Sequence, residues 1–165
     1  MRTTQTRYTP IHLASAFRTP LGTLVGVASD RGLSAVSFDL DVLSDGLNGD
    51  HPVHELLRRW LAAYFDARWE ELPQLPLDLP QTPARDYWVA AQSIPRGSTA
   101  TYGAIATGLG RPSAARAVGT AMAHNPLALV VPCHRVVAQN GALTGYAGGI
   151  ERKAWLLRHE GALLF

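Results

Sequence analysis

Four closely spaced prolines divide this chain of 165 residues into two parts. They lie within the segment 70–83, at Pro73, Pro76, Pro80 and Pro83. Prolines at this spacing disrupt helices and central strands, because each one lacks the backbone N–H that those structures use. We therefore expect an irregular linker and a domain boundary near residue 80. The predicted N-terminal domain covers residues 1–80, with the linker at its end, and the predicted C-terminal domain covers residues 81–165.

The charge of the chain changes sign at the same boundary. Residues 1–80 carry seven Lys/Arg and ten Asp/Glu, whereas residues 81–165 carry eight and three. No acidic residue occurs from Tyr87 through Ile150, a stretch that contains Arg96, Arg111, Arg116 and Arg135. A long segment with positive charge and no carboxylate suits a polyanion such as nucleic acid. A solvated face would give the same pattern.

The sequence pattern predicts an α+β fold. Three β-favouring runs separated by turn signals predict a small antiparallel sheet over residues 11–17, 23–28 and 33–38. Apolar residues at helical spacing then predict a helix over 52–66. His51 and His54 at its start have a metal-like spacing but no accompanying ligands, so we expect surface histidines and no metal.

The C-terminal domain is expected to be mostly helical. Helices are predicted over residues 84–93, 101–108, 112–124 and 150–160. The second and third are short and joined by a glycine-containing break, which is the layout of a helix-turn-helix. The helix 112–124 is rich in Ala and Gly, and Arg116 is its one large polar group. Such a helix can enter a groove closely, although a tightly packed structural helix has the same composition.

The chain contains a single cysteine, Cys133, which excludes an internal disulfide and a cysteine zinc site. A lone cysteine in an apolar run is most often buried filler. Here His134 and Arg135 follow directly, and both are costly to bury without a partner. We therefore expect this segment either to reach the surface or to enter a polar site. Neighbouring cationic groups favour the thiolate, so Cys133 is a candidate nucleophile.

The sequence shows neither a membrane span nor a signal peptide. No window of about eighteen consecutive apolar residues occurs, and Met1–Gln5 lack the apolar core of an export signal. A single cysteine without an export signal indicates a reducing compartment. We expect a cytoplasmic protein.

Several short motifs follow one another in the C-terminal part: Arg116–Gly119, Asn125-Pro126, Pro132–Arg135, Gly145–Gly149 and Arg158–Gly161. In this combination the chain resembles the O6-alkylguanine-DNA alkyltransferases, also called methylated-DNA–protein-cysteine methyltransferases. The resemblance covers about 84–165, is looser over the first part, and is greatest to the bacterial single-enzyme branch. It implies DNA repair by direct reversal, in which the alkyl group of a flipped O6-alkylguanine, or of O4-alkylthymine, moves from duplex DNA to Cys133 once per molecule.

The resemblance also implies roles for individual residues. Cys133 would accept the alkyl group, His134 would remove the thiol proton through a water, Glu160 would orient and charge the imidazole, and Asn125 would brace the turn. DNA contacts are implied for Tyr102, Ala115, Arg116, Gly119 and Arg135, with Arg116 filling the gap left by the extruded base. The substrate pocket would include Met122, Val136, Tyr146, Ala147 and Gly148. The resemblance implies no cofactor, no metal and a monomer that acts on double-stranded DNA.

These residue types suit the chemistry. Attack at a saturated carbon needs a soft nucleophile, and thiolate is the best that a protein offers. Adjacent side chains diverge in a strand, so cooperation of Cys133 with His134 needs a water relay or a turn at Pro132. Ala147 stands where several relatives have serine, so backbone N–H groups of that loop would have to contact the substrate oxygen.

Three other functions are compatible with parts of the sequence. A damage sensor would bind alkylated DNA without transfer, but such relatives carry another residue at the thiol position. A cysteine hydrolase would need a direct Cys–His pair, which the adjacent positions of Cys133 and His134 make awkward. A plain helix-turn-helix regulator would leave the cysteine segment idle. A methyl group gained by the peptide that contains Cys133 would separate transfer from all three.

Overall fold

An antiparallel three-stranded meander begins the computed structural model, which describes residues 12–41 and 49–163. Its strands follow in chain order as β1 (Leu13–Thr19), β2 (Gly22–Ser29) and β3 (Gly32–Ser37). The predicted antiparallel sheet and both of its turns are confirmed. The first strand ends at Thr19 rather than at residue 17, because pairing with β2 continues to the turn. Ile11, its predicted first residue, lies outside the described residues.

Helix α1 (Pro52–Phe65) packs its apolar side on this sheet. The two histidines at its start cap it reciprocally: His51 Nδ1 accepts the N–H of Val53 (3.1 Å), and His54 Nδ1 accepts the N–H of His51 (3.1 Å). The predicted surface position is wrong for His54, whose side chain is buried. These imidazoles satisfy backbone donors that a helix start leaves unpaired. Within residues 12–41 and 49–163, no three His, Cys, Asp or Glu side chains form a metal-binding group.

The proline-rich segment lacks a regular element apart from a 3-10 turn at Trp69–Glu71, yet it is held in place. Leu33 donates its N–H to the Pro76 carbonyl (2.8 Å), and Asp78 donates its N–H to the Leu33 carbonyl (2.8 Å). A Cβ at Gly32 would collide with the Pro76 carbonyl oxygen, so this approach requires glycine. The segment therefore covers the outer edge of β3 instead of acting as a free tether.

The rest of the described chain contains four α-helices and two very short strands. The helices are α2 (Arg85–Gln92), α3 (Tyr102–Gly108), α4 (Ala115–Ala123) and α5 (Ile150–His159). Between them, the strands β4 (Ala100–Thr101) and β5 (Val136–Val137) pair in parallel. The helices α3 and α4 pack together in the order expected of a helix-turn-helix. None of the helices formed by the described residues has the length and apolarity needed to cross a membrane.

Helix α4 begins three residues later than predicted. Pro112 and Ser113 lie in a turn that reverses the chain after α3, in which Arg111 donates its N–H to the Ala106 carbonyl (2.9 Å) and Ala114 donates to the Arg111 carbonyl (2.9 Å). Proline suits the first turn of a helix, but here it serves the connection between two helices.

Helix α5 begins at residue 150, as predicted, and ends at His159; Gly161, two residues further on, has φ +82°. The N–H groups of Gly161 and Ala162 donate back to Arg158 and Leu157 (3.0 and 2.8 Å), a pattern typical of a glycine-terminated helix. Ile150, its first residue, is exposed.

One continuous apolar core joins the two halves of the sequence. It contains residues on both sides of position 80, among them Leu24, Leu33, Leu57, Trp88, Leu127 and Leu156. The indole of Trp88 also donates to the Ala121 carbonyl (2.8 Å), which fixes α2 against α4. The division into two domains near residue 80 stays a prediction, because the halves share this core.

Candidate active site

The lone cysteine lies on a single 3-10 turn, Cys133–Arg135, which directly precedes β5. Cys133 donates its N–H to the Val131 carbonyl (2.8 Å), and Arg135 donates to the Pro132 carbonyl (3.0 Å). Leu129, just upstream, is buried with φ +67°, a strained conformation for a residue with a branched side chain. The chain therefore turns at Pro132, so the side chains after it do not alternate as they would in a strand.

Asn125 holds this turn from the end of α4. Its amide Nδ2 donates to the Val131 carbonyl (2.9 Å) and lies 3.0 Å from Sγ of Cys133, while its Oδ1 accepts the N–H of Leu127 (3.0 Å). A donor aimed at the sulfur favours the thiolate over the thiol.

His134 and Glu160 form a fully buried pair, with Nε2 of the imidazole 2.8 Å from Oε1 of the carboxylate. A carboxylate only accepts, so Nε2 must carry the proton and Nδ1 must hold the lone pair. Nδ1 is buried and has no hydrogen-bond partner among the described residues. The pair therefore presents a free basic nitrogen on the side away from Glu160.

Glu160 accepts hydrogen bonds from three side chains. Arg135 donates from Nε to Oε2 (2.8 Å) and from Nη2 to Oε1 (2.9 Å), and Tyr64 of α1 donates its hydroxyl to Oε1 (2.7 Å). We call Tyr64, His134, Arg135 and Glu160 the Glu160 network. Burial alone would raise the pKa of the Glu160 carboxyl, but hydrogen bonds from His134 and Arg135 hold that pKa far below its usual range. The folded structure therefore favours the charged form of this carboxylate.

Burial lowers the pKa of His134, although the hydrogen bond and charge of Glu160 oppose that change. The imidazole is therefore neutral in the resting protein and ready to accept a proton. Burial raises the pKa of Cys133, and the Asn125 amide and the charge of Lys153 oppose it. The resting cysteine is a thiol, so its nucleophilic form needs a base.

Lys153 of α5 is a fully buried ammonium close to this site. It donates from Nζ to the carbonyls of Val136 (2.6 Å) and Thr144 (2.9 Å). These bonds tie the strand after the cysteine turn to the glycine-rich loop that follows Thr144. Burial lowers the pKa of Lys153, and the nearby Cys133 thiolate would raise it.

A cavity of about 270 Å³ opens beside the thiol. Its lining includes Phe38, Asn125, Cys133, Tyr146, Ala147 and Gly148. A Cβ at Gly148 would lie 2.7 Å from the Tyr146 ring and 3.1 Å from the Phe38 ring, so glycine is required there. The Tyr146 hydroxyl is buried without a hydrogen-bond partner among the described residues, and burial raises its pKa. The residues that line this partly open cavity thus include a sulfur nucleophile and a phenol.

Two predicted pocket residues do not line this cavity. Met122 and Val136 are buried in the closed core, 2% and 0% exposed, where Met122 lies on the inner side of α4 and Val136 pairs with Ala100. Their apolar side chains are used for packing between elements, which corrects their placement on the cavity wall.

The exposed side of α4 carries the other predicted residues. We define the α4 face as Ala115, Arg116 and Gly119; Arg116 is exposed, and the other two are partly exposed. Tyr102 stands beside Gly119, and its hydroxyl donates to the Thr144 carbonyl (3.1 Å), which joins α3 to the loop of the cavity. The small side chains leave Arg116 projecting from a thin helix.

Arg135 is predicted as a DNA contact, and the structure corrects this. Its side chain is 14% exposed and donates to both Glu160 oxygens and, from Nη1, to the Ile94 carbonyl (2.7 Å). A guanidinium whose donors point inward does not reach a phosphate. Its charge balances the buried carboxylate instead.

Sequence reasoning missed three contributions to the site. Tyr64 and Phe38 come from the N-terminal half, and Lys153 lies on α5. The two aromatic residues carry no local signal, since each occurs in an ordinary apolar pattern. Lys153 did carry one signal in the sequence. It lies between the loop and the run Trp155–Leu157 at an inward-facing position of α5, and a lysine buried there needs hydrogen-bond partners.

The fold and site define a protein with a lone buried cysteine on a turn, a histidine–glutamate pair behind it and an exposed helix beside it. Residues 83–162 match the family described as "6-O-methylguanine DNA methyltransferase, DNA binding domain". A methylated-DNA–protein-cysteine methyltransferase from Methanosarcina acetivorans is 38% identical over 154 residues, covering 88% of this chain and 96% of the relative. This chain belongs to the methylated-DNA–protein-cysteine methyltransferase family.

Two further similarities bear on function. A Salmonella typhimurium protein of the same name is 53% identical over 105 residues, which are 63% of this chain and 61% of that relative, so the match spans less than two thirds of its length. The crystal structure of Mycobacterium tuberculosis OGT in complex with DNA superposes with a TM-score of 0.79 at 38% identity. That superposition covers 89% of this chain and 91% of the other.

Proposed function

We propose that this protein removes the alkyl group from O6-alkylguanine in double-stranded DNA and transfers it to Cys133, once per molecule. The observation that carries the proposal is the lone sulfur in the wall of a partly open cavity, with the Asn125 amide at the sulfur and the His134–Glu160 pair beginning at the next residue. The names of the relatives support transfer to cysteine, and the complex of the Mycobacterium tuberculosis protein supports DNA as the partner.

The proposed transfer is a displacement at saturated carbon. The thiol proton of Cys133 passes through a water to Nδ1 of His134, and Sγ attacks the alkyl carbon as the bond from that carbon to O6 breaks. The bonding electron pair stays with guanine, which takes up one proton, so thiol and alkylguanine become thioether and guanine. The unpaired hydroxyl of Tyr146 is a candidate donor to the departing base. The thioether has no second thiol to resolve it, which limits each molecule to one turnover.

The α4 face is the proposed contact with DNA. A base inside the duplex cannot reach a buried sulfur, so the lesion must be flipped out, at a cost of a few kcal/mol that is lowest for a damaged pair. Arg116 stands exposed on a helix of small residues, which suits entry into a groove and occupation of the gap in the stack. Tyr102 at the neighbouring edge would contact the phosphate of the flipped nucleotide.

We further propose that the protein acts as a monomer in the cytoplasm, with O4-alkylthymine as a second substrate. All groups of the Glu160 network come from a single chain, which supports a monomer. A free thiol that must stay reduced is suited to a reducing compartment. The proposed boundary near residue 80 separates a supporting half from the half that carries the cysteine.

A mass measurement tests the proposal directly. The protein is incubated with a duplex that carries one O6-methylguanine, and its peptides are then weighed. We expect one added methyl group on the peptide that contains Cys133, and no addition in a Cys133→Ala variant that still binds the duplex. Repair of the lesion with Cys133 unmodified would contradict the proposal. Binding without any mass gain would identify a sensor, and turnover of an ester would identify a hydrolase.

A further inference from the structure

The N-terminal half reaches the buried histidine–glutamate pair through one side chain. Tyr64, near the end of α1, is 2% exposed and donates its hydroxyl to Oε1 of Glu160 (2.7 Å), the same oxygen that accepts Nε2 of His134. The residues are 96 positions apart in sequence. The direction of this bond is fixed, because a carboxylate with a low pKa only accepts. Burial and the Glu160 charge raise the pKa of Tyr64, so the phenol keeps its proton.

Tyr64 holds two consecutive residues at the C-terminal end of α5, His159 and Glu160. Besides its hydroxyl bond to Glu160, its backbone carbonyl lies 2.7 Å from Nε2 of His159. Its ring is packed by Trp60, stacked at 5.0 Å, and by the edge of Trp69 at 5.4 Å. The phenol therefore has little freedom to turn away, and the end of α1 fixes the end of α5.

We propose that Tyr64 is a positioning residue for alkyl transfer, acting through Glu160 on His134. This inference rests on the proposed function. The phenol and Arg135 hold the carboxylate in one orientation, and the carboxylate keeps the proton of His134 on Nε2. Nδ1 is thereby kept free to take the thiol proton. The N-terminal half thus contributes to the chemistry as well as to the packing.

A matched pair of variants separates this role from packing. Tyr64→Phe removes only the hydroxyl and keeps the ring, whereas Tyr87→Phe removes a hydroxyl from another buried tyrosine, which lies on α2 beneath Arg111 and outside the Glu160 network. Each protein is assayed for single-turnover transfer from an O6-methylguanine duplex across a range of pH. Each is also alkylated at Cys133 by iodoacetamide without DNA.

We expect Tyr64→Phe to slow transfer and iodoacetamide alkylation about tenfold near neutral pH, the size expected from losing one hydrogen bond to a charged group. The defect should shrink at alkaline pH, where the thiol ionises without help from a base. Tyr87→Phe should match the wild type in both assays.

Two outcomes overturn the inference. One is a Tyr64→Phe variant with the wild-type rate and pH profile in both assays. The other is a loss that is equal at every pH, which would show a structural effect on the fold. Failure of the proposed function has a different signature, since the wild type itself would then gain no methyl group from the duplex, while the iodoacetamide assay would still report on Tyr64.

Discussion

Arg135 in the Glu160 network and Arg116 on the α4 face belong to the same acid-free stretch, but their side chains lie in opposite environments. Arg135 is buried against Glu160, and its charge is neutralised within the protein. Arg116 projects from a helix of small residues and is exposed. Of the other two arginines in the stretch, Arg111 pairs with Asp86 (2.9 Å) and Arg96 lies over the Trp69 ring (4.3 Å). A count of positive charge therefore overstates the cationic surface, because burial engages Arg135 and partners within the protein engage Arg111 and Arg96.

The largest effect is expected at Glu160, the partner of the buried Arg135. Glu160→Gln should slow transfer about 100-fold, because His134 loses the carboxylate that orients it. It should also lower the free energy of unfolding by about 3 kcal/mol, since the Arg135 charge is left buried without its partner. Single-turnover transfer and urea denaturation measure the two effects, and affinity for an unmodified duplex should stay the same.

Glu151→Gln is the matched control for that variant. Glu151 lies exposed in the first turn of the same helix, so removal of its charge should leave both quantities near the wild-type values. A Glu160→Gln protein as stable and as fast as the Glu151→Gln protein would show that the network is dispensable.

An effect of intermediate size is expected at Arg116, on the exposed α4 face. Arg116→Ala should slow transfer from duplex DNA about tenfold, because the variant loses part of the energy that offsets base flipping. Transfer from free O6-benzylguanine, which needs no flipping, should be unchanged. Arg111→Ala, which removes an exposed arginine already paired with Asp86, is the control and should affect neither substrate strongly. Equal losses on the duplex and on the free base would remove Arg116 from the flipping step.

The smallest effect concerns acid stability. The native pKa of Glu160 lies below that of an unfolded glutamate, which is about 4.3. The unfolded state therefore binds a proton first as pH falls, and the stability that the charged carboxylate contributes is lost below that value. Between about pH 5 and pH 3 the wild type should lose on the order of 1 kcal/mol more than Glu160→Gln. Parallel curves for the two proteins in urea denaturation would contradict a strongly lowered pKa.

The sequence predicted the elements well because their signals are local. The alternating strand pattern, the helical spacing of apolar residues in α1 and the motif around Cys133 all depend on residues within a few positions of each other. Predictions failed where a partner far away in sequence decides the environment: Arg135 faces Glu160, Val136 faces the core, and the buried His54 ring packs against Phe17 of β1. The late start of α4 has a local cause instead, since the reversal after α3 uses Pro112 in a turn.

By itself, the sequence determined that one cysteine is present, that a histidine and an arginine follow it, and that a helix of small residues with Arg116 lies nearby. Only the tertiary structure decided which groups meet. It brought Tyr64 across 96 positions to Glu160, placed Phe38 beside the thiol and turned Arg135 inward. The physical reason is that a buried charge must find its partners through space, and no local pattern in the chain records where those partners will be.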